Sequence, residues 1–183
     1  MRAREENGDM KINIKELASD TGILKAGRQI YLSGTVYTAR DAAHAKLVEM
    51  LDRGEKPPFK LAGCAIYYCG PSPAGPGRII GACGPTTSAR MDAFTPRMLE
   101  EGVKILIGKG ARKDFVADSI KKHKAVYLVA TGGIAALLSK TVKKASLIAF
   151  KELGPEAVYE LEVENMPLIA AVDSEGNSIF KKG

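Results

Sequence analysis

From residue 78 onward the chain alternates short apolar runs with amphipathic stretches of helical period, and this alternation constrains the fold more than any other feature. Strand character over 78–83 gives way to a helical pattern over 88–101, a strand over 103–107 and a helix over 112–122. A strand over 125–130, a helix over 134–142 and a strand over 146–150 complete the series. Runs such as Val126-Tyr127-Leu128-Val129 show no polar alternation, so they need cover on both faces. Helices on crossover connections supply that cover, and the expected core is a largely parallel sheet with right-handed crossovers.

The flanks read differently. Gln29-Ile30-Tyr31-Leu32-Ser33-Gly34-Thr35-Val36-Tyr37 is β-rich, and Ala43, Leu47, Met50 and Leu51 then recur at helical spacing over 40–51. An apolar strand over 61–68 is joined to 78–83 by the loop Gly70-Pro71-Ser72-Pro73-Ala74-Gly75-Pro76-Gly77, which reads as a β-ribbon. The tail returns to strands over 158–163 and 168–172, the turn Asp173-Ser174-Glu175-Gly176-Asn177, and a strand over 178–180. The fold class is therefore α/β, with additional antiparallel strands at both ends. Residues 1–10 read as a disordered leader, leaving a single domain over 11–183. Of the 183 residues 45% are hydrophobic, enough to bury a core in one domain.

Several function classes are disfavoured by composition. No apolar run approaches the roughly 20 residues of a membrane span, and the first ten residues are too polar and acidic for a signal peptide, so a cytoplasmic protein is expected. Cys64, Cys69 and Cys83 form no C-x-x-C pair and are odd in number. That argues against a disulfide framework and against a self-contained zinc or iron–sulfur site, and the cysteines read as small buried or pocket-wall residues. The net charge of +6 comes from scattered lysines and arginines without an aromatic RNA-binding motif, so no nucleic-acid partner is expected.

Chemistry concentrates in the loops that follow the predicted strands, where ligands of open α/β sheets collect. Gly84-Pro85-Thr86-Thr87-Ser88-Ala89-Arg90-Met91-Asp92 crowds hydroxyls and a guanidinium onto a predicted helix start, capped by Thr87 or Ser88. Free amides and the positive helix end there suit a carboxylate or phosphate. Arg40 follows strand 29–37, and Lys109 follows 103–107 within Gly108-Lys109-Gly110. Thr131-Gly132-Gly133 follows 125–130 without a charge of its own. The glycines would let backbone approach an anion, and two arginines plus a lysine match a ligand with two carboxylates. Taken singly, each has a plain reading. Gly132 and Gly133 could form a mere tight turn, and Gly108-Lys109-Gly110 lacks the P-loop spacing. Arg40 beside Asp41 could be a surface ion pair, and His44 stands between supporting Arg40 or Asp41 and having no chemical role.

Four ordered segments carry a more specific signal: Gly34-Thr35-Val36-Tyr37-Thr38-Ala39-Arg40-Asp41-Ala42-Ala43-His44-Ala45-Lys46, Tyr68-Cys69-Gly70-Pro71, the 84–92 segment and Gly108-Lys109-Gly110. Together they resemble the β subunit, or C-terminal domain, of class I iron–sulfur fumarate hydratases, with the L(+)-tartrate dehydratase β subunit close behind. The likeness runs from about residue 11 to 180 and includes Glu152-Leu153-Gly154-Pro155-Glu156-Ala157. It implies a swivelling β/β/α domain and the reversible hydration of fumarate to (S)-malate. It also implies a [4Fe–4S] cluster carried by a partner α subunit, with no metal or cofactor bound by this chain alone. The implied partners are that α subunit and a dicarboxylate, and whether αβ units pair as a homodimer stays open. By the same resemblance Thr86 is the catalytic base. Arg40, Arg90, Lys109 and Thr87 bind substrate, and Asp41, His44, Gly132 and Gly133 support them.

Cys69 departs from the family, which usually has a small residue before the Gly-Pro pair; a cysteine there either modulates a nearby cluster or fills space, and with no second ligand spaced to join it the second reading is favoured. The Ala39-Arg40-Asp41-Ala42-Ala43-His44 wording resembles the fumarase branch more than the tartrate branch. Two other classes of function compete. One is a non-catalytic anion- or nucleotide-binding module using the Thr86 and Gly132 loops, and the other is a structural domain whose basic face docks an acidic subunit.

Overall fold

A computed structural model describes residues 4–6, 9–130 and 135–180. In chain order the elements are β1 (Arg4–Glu6), β2 (Asp9–Asn13), α1 (Ile14–Ser19), β3 (Gln29–Thr38), α2 (Asp41–Asp52), β4 (Ala65–Tyr67) and α3 (Thr95–Glu100). There follow β5 (Ile105–Gly108), α4 (Asp114–Lys122), β6 (Val126–Val129), α5 (Ala135–Thr141), β7 (Val142–Ala149) and β8 (Val158–Val172). Among the described residues no helix is long and apolar enough to cross a membrane.

The sheet is mixed. β2, β3, β4, β5 and β6 are neighbours in parallel, whereas β8 runs antiparallel to β3, β6 and β7. Two long strands make this possible. One edge of β3 bonds β2 at residues 30–33 and then β4 at 37–38, while its other edge bonds β8. β8 likewise bonds β7 near its start and β6 near its end. The path β3, β4, β5, β6, β8 therefore closes back on β3.

Strand periodicity then sorts the apolar side chains into two clusters. Tyr67, Ile105, Ile107, Val126 and Leu128 join Ile30, Leu32, Val36, Met166 and Leu168 inside this ring, closed off by α1 and α5. Their neighbours Ile66, Leu106, Tyr127 and Val129 point the other way and pack on Leu47 of α2, Met98 and Leu99 of α3, and Val116 and Ile120 of α4. The runs without polar alternation are thus covered on both faces, by strands on one side and by helices on the other.

Several elements depart from the sequence reading. Residues 78–83 form no strand: Pro71 and Pro73 remove ladder donors from the facing arm, and isolated bonds rather than a ladder join the two arms. These include Ser72 N–H to the Ala82 carbonyl at 3.0 Å, Gly81 N–H to the Ser72 carbonyl at 3.1 Å and Ala82 N–H to Ser72 Oγ at 2.7 Å. The helix expected over 88–101 splits into a 3₁₀ turn, Ser88–Met91, and α3, which Pro96 starts afresh. The final strands merge into β8, whose bend falls at Asn165 (φ 51°) and at a register shift opposite Leu32 and Gly34. β7 begins at Val142, directly after α5, and residue 178 makes only a single bridge, to Val172. Within the stretch read as a leader, the backbone of Arg4–Glu6 pairs antiparallel with residues 9–11.

Candidate functional site

Because β3, β4 and β5 are parallel neighbours, the loops leaving them emerge side by side. Arg40 follows β3, Tyr68-Cys69-Gly70 follows β4, and Lys109 follows β5. Beyond the strand ends, residues 85–88 slot between the last two. Pro85 bridges Cys69, Thr86 N–H donates to the Tyr68 carbonyl at 2.7 Å, Thr87 bridges Lys109, and Ser88 N–H donates to the Lys109 carbonyl at 3.0 Å. Three segments distant in sequence are stitched into one edge by backbone bonds.

The side chains follow. Asp41, the first residue of α2, accepts the Arg90 Nε–H at Oδ1 over 3.0 Å, and Arg90 Nη2 lies in ion-pair contact 2.9 Å from Oδ2. Arg40 lies 3.9 Å from the same carboxylate and pairs at 3.3 Å with Glu156. Glu156 also accepts the Ala42 amide at 3.1 Å, so its carboxylate sits on the first turn of α2. Gly70 makes room for this arrangement, since a Cβ there would lie 2.8 Å from the Pro155 carbonyl and 3.0 Å from Arg40 Cδ and Nη1. Arg90 and Lys109 are exposed, Thr87 is exposed and Thr86 is half-buried. Among the described residues no carboxylate pairs with Lys109 and no hydrogen bond occupies the Thr86 hydroxyl. Arg40, Arg90 and Lys109 against Asp41 and Glu156 leave one cation in excess at the edge.

Two expectations change. The anion site expected from a capped helix start at Thr87 or Ser88 has a four-residue 3₁₀ turn in its place, too short for a macrodipole, and Thr87 caps it with no side-chain bond. The Ser88 hydroxyl instead accepts the Lys109 amide at 2.8 Å. The glycines beside Lys109 serve the protein's own backbone: a Cβ on Gly108 would lie 1.8 Å from Ser88 Oγ, and Gly110 turns the chain at φ +82°. Gly132 and Gly133 lie outside the described residues.

His44 is wholly buried between Tyr68 and Phe94. Its Nδ1 is 2.9 Å from the Arg40 carbonyl, which can only accept, so Nδ1 carries the proton and Nε2 is a buried lone pair with no hydrogen-bond partner among the described residues. Burial, with Arg112 nearby, lowers its pKa to about 4, so the ring is neutral at pH 7. Its bond reaches Arg40 through the main chain.

Sequence reasoning missed a buried ion pair beneath the edge. Arg112, with its side chain 1% exposed, donates to Asp92 Oδ1 and to Thr95 Oγ1, both at 2.6 Å. Its guanidinium lies over the rings of Tyr127 and Tyr68, at 4.9 and 5.3 Å. Asp92 Oδ2 accepts the Lys113 amide at 3.1 Å. Nothing in the spacing of Asp92 and Arg112 marks them as partners. Glu156 was the more visible residue, since it stands in the Glu152-Leu153-Gly154-Pro155-Glu156-Ala157 block.

The cysteines do not suit a metal cluster. Cys69 and Cys83 face each other at 3.2 Å in the inner cluster, while Cys64 lies in the outer one. The bond to Cys83 and burial raise the Cys69 thiol, and burial pushes Cys64 up to about 12, which keeps both protonated. Among the described residues no three His, Cys, Asp or Glu side chains gather as ligands.

Fold and site together define an α/β domain with a cation-bearing edge where parallel strands end. A model of the Fumarase C-terminus family matches residues 1–183, and the chain belongs to that family. It is 40% identical over 176 residues to fumarate hydratase 2 of Leishmania major, covering 95% of this chain and 31% of that protein. To the putative L(+)-tartrate dehydratase subunit beta of Methanocaldococcus jannaschii it is 44% identical over 169 residues, covering 89% of this chain and 87% of that one. The aerobic class I fumarate hydratase of Escherichia coli is 36% identical over 176 residues, 95% of this chain and 32% of that protein. The chain thus spans about a third of those fumarate hydratases and most of the tartrate dehydratase subunit.

Proposed function

We propose that this chain is the β subunit of a two-subunit class I fumarate hydratase, which with an iron–sulfur α subunit hydrates fumarate reversibly to (S)-malate. The observation that carries the reading is the insertion of residues 85–88 between the ends of β4 and β5, which gathers Thr86, Arg90 and Lys109 on one edge with Arg40. In this reading Arg40, Arg90, Lys109 and Thr87 hold the two carboxylates. Removing a proton from the carbon beside a carboxylate builds an aci-carboxylate of higher negative charge, and cations already in place stabilise it more than the ground state. Thr86 is the base; its hydroxyl can act so only where positive charge and exclusion of water make an alkoxide tolerable. In this reading Asp41 and His44 hold the two arginines, and Gly132 and Gly133 keep the supporting role that the resemblance implies.

The thiols of this chain do not fit a [4Fe–4S] cluster, so the reading leaves the cluster to the α subunit. Coverage supports a separate partner: the match takes in most of a protein named as a β subunit and the equivalent of about a third of the longer fumarate hydratases. The swivelling β/β/α description belongs to the same proposal, supported by two strand layers with α2, α3 and α4 as the third.

L(+)-tartrate is the competing substrate, favoured by the 44% identity to a putative tartrate dehydratase subunit. Tartrate carries one more hydroxyl than malate, and a site that bonds that hydroxyl discriminates strongly. The test is to combine the chain anaerobically with its purified iron–sulfur α subunit and compare turnover of (S)-malate and L(+)-tartrate. Faster dehydration of malate, with neither subunit active alone, is the expected result; preference for tartrate moves the assignment, and activity of this chain alone removes it.

A further inference from the structure

We propose that Ser88 and Tyr127 are positioning residues for Lys109, joined in a hydroxyl relay that closes on the Gly108-Lys109-Gly110 loop; the inference rests on the hydro-lyase reading above. Ser88 grips both backbone groups of Lys109, with its Oγ accepting the Lys109 amide at 2.8 Å and its own amide donating to the Lys109 carbonyl at 3.0 Å. The phenol of Tyr127 lies 2.9 Å from Ser88 Oγ and 2.8 Å from the Gly110 carbonyl.

Counting protons fixes the direction of the chain. The Gly110 carbonyl can only accept, so it takes the one phenolic proton. The Ser88 hydroxyl therefore donates to Tyr127 Oη while accepting from Lys109. The relay runs from Lys109 N–H through Ser88 and Tyr127 to the Gly110 carbonyl, and it leaves none of these groups unmatched. Burial raises the Tyr127 phenol above its ordinary range, so that proton stays in place.

Ser88 and Tyr127 are both fully buried, and neither can touch a ligand at the exposed edge. Packing alone would be served by alanine and phenylalanine. Hydroxyls at such depth are costly unless bonded, and here their bonds go to the backbone of one exposed lysine and of the glycine after it. Gly108 is part of the same device, because any side chain at that position would displace the Ser88 hydroxyl. The result fixes the root of the Lys109 side chain beside Thr87 before a ligand arrives, which saves ordering cost in the reacting complex.

The test measures kcat and KM for (S)-malate in the assembled αβ enzyme carrying Ser88→Ala or Tyr127→Phe, each with and without Lys109→Ala, together with exchange of the Lys109 amide proton. Ser88→Ala should lower kcat/KM about ten- to a hundredfold, the loss expected when a binding group shifts by about 1 Å. Exchange at Lys109 should accelerate. With Lys109 already replaced, the further loss should fall below about twofold, because the two changes remove one function. Full kcat/KM in both variants overturns the proposal, as does an equal fold-loss with and without Lys109. If Ser88→Ala does not fold, Tyr127→Phe, which keeps the ring under Arg112, decides by the same criteria. A wild-type complex that dehydrates neither malate nor tartrate defeats the hydro-lyase reading and this inference with it, whereas an active wild type with unaffected variants defeats only the positioning role.

Discussion

His44 places a titratable ring in an apolar layer, against Tyr68 and Phe94, where only the neutral form is tolerated. Above pH 6.5 the ring is neutral both folded and unfolded and costs nothing. Below pH 6.5 the unfolded chain takes up a proton that the folded chain refuses until about pH 4. Stability is therefore fully present above 6.5 and falls as the pH drops towards 4, by up to about 3 kcal/mol. Urea midpoints at pH 7 and pH 5 should differ in the wild type and differ much less in His44→Gln, whose amide can still donate to the Arg40 carbonyl. Gly108 gives a steric prediction at the same scale. Gly108→Ala drives a methyl into Ser88 Oγ and to 2.8 Å from the Tyr68 ring, and should cost about 1–3 kcal/mol, read from the shift in urea midpoint. Arg40, Arg90, Thr86 and Lys109 were legible as residues because each stands in a recognisable segment. Asp41 was legible as a support but its pairing was not, because it reads locally as Arg40's neighbour yet bonds chiefly to Arg90.

Between α3 and α4 the decisive contact is the Arg112–Asp92 pair, buried at 1% and 3% side-chain exposure. Asp92→Ala would leave the guanidinium uncompensated and the amide leading into α4 unbonded, a loss of about 3–5 kcal/mol. Replacing both partners together by Leu and Met should recover most of it. Urea unfolding of the single and double variants decides, and a double variant as unstable as Asp92→Ala would contradict the account. The strands β5 and β6 and helix α4 were readable because burial on both faces, or on one helical face, imposes a period on the sequence. Residues 70–94 were not. Their conformation is set by contacts such as Ser72 against Gly81 and Ser88 against Gly108, where a missing side chain is the signal, and such gaps carry no period. β8 read as two strands because 164–167 breaks the apolar pattern, whereas in the structure β3 pairs on both sides of a register shift there, through Val163 and again from Met166.

At the scale of the molecule, a ring of five strands holds three parallel strand ends in register, and helices on one side keep their loops in place. The cationic edge that results exposes the side chains of Thr87, Arg90 and Lys109. Isothermal titration of this chain with ATP and with dicarboxylates separates the dehydratase reading from an anion-binding module: nucleotide binding that survives Arg90→Ala would favour the module. A domain that merely docks a partner predicts something different again, since its basic side chains could be lost without effect on chemistry. The most direct measurement is turnover of (S)-malate by the assembled αβ enzyme carrying Lys109→Ala. A fall in kcat/KM of about a hundredfold or more is expected, as for other groups that stabilise developing negative charge, with an unchanged unfolding temperature; wild-type turnover in that variant would remove Lys109 from the site.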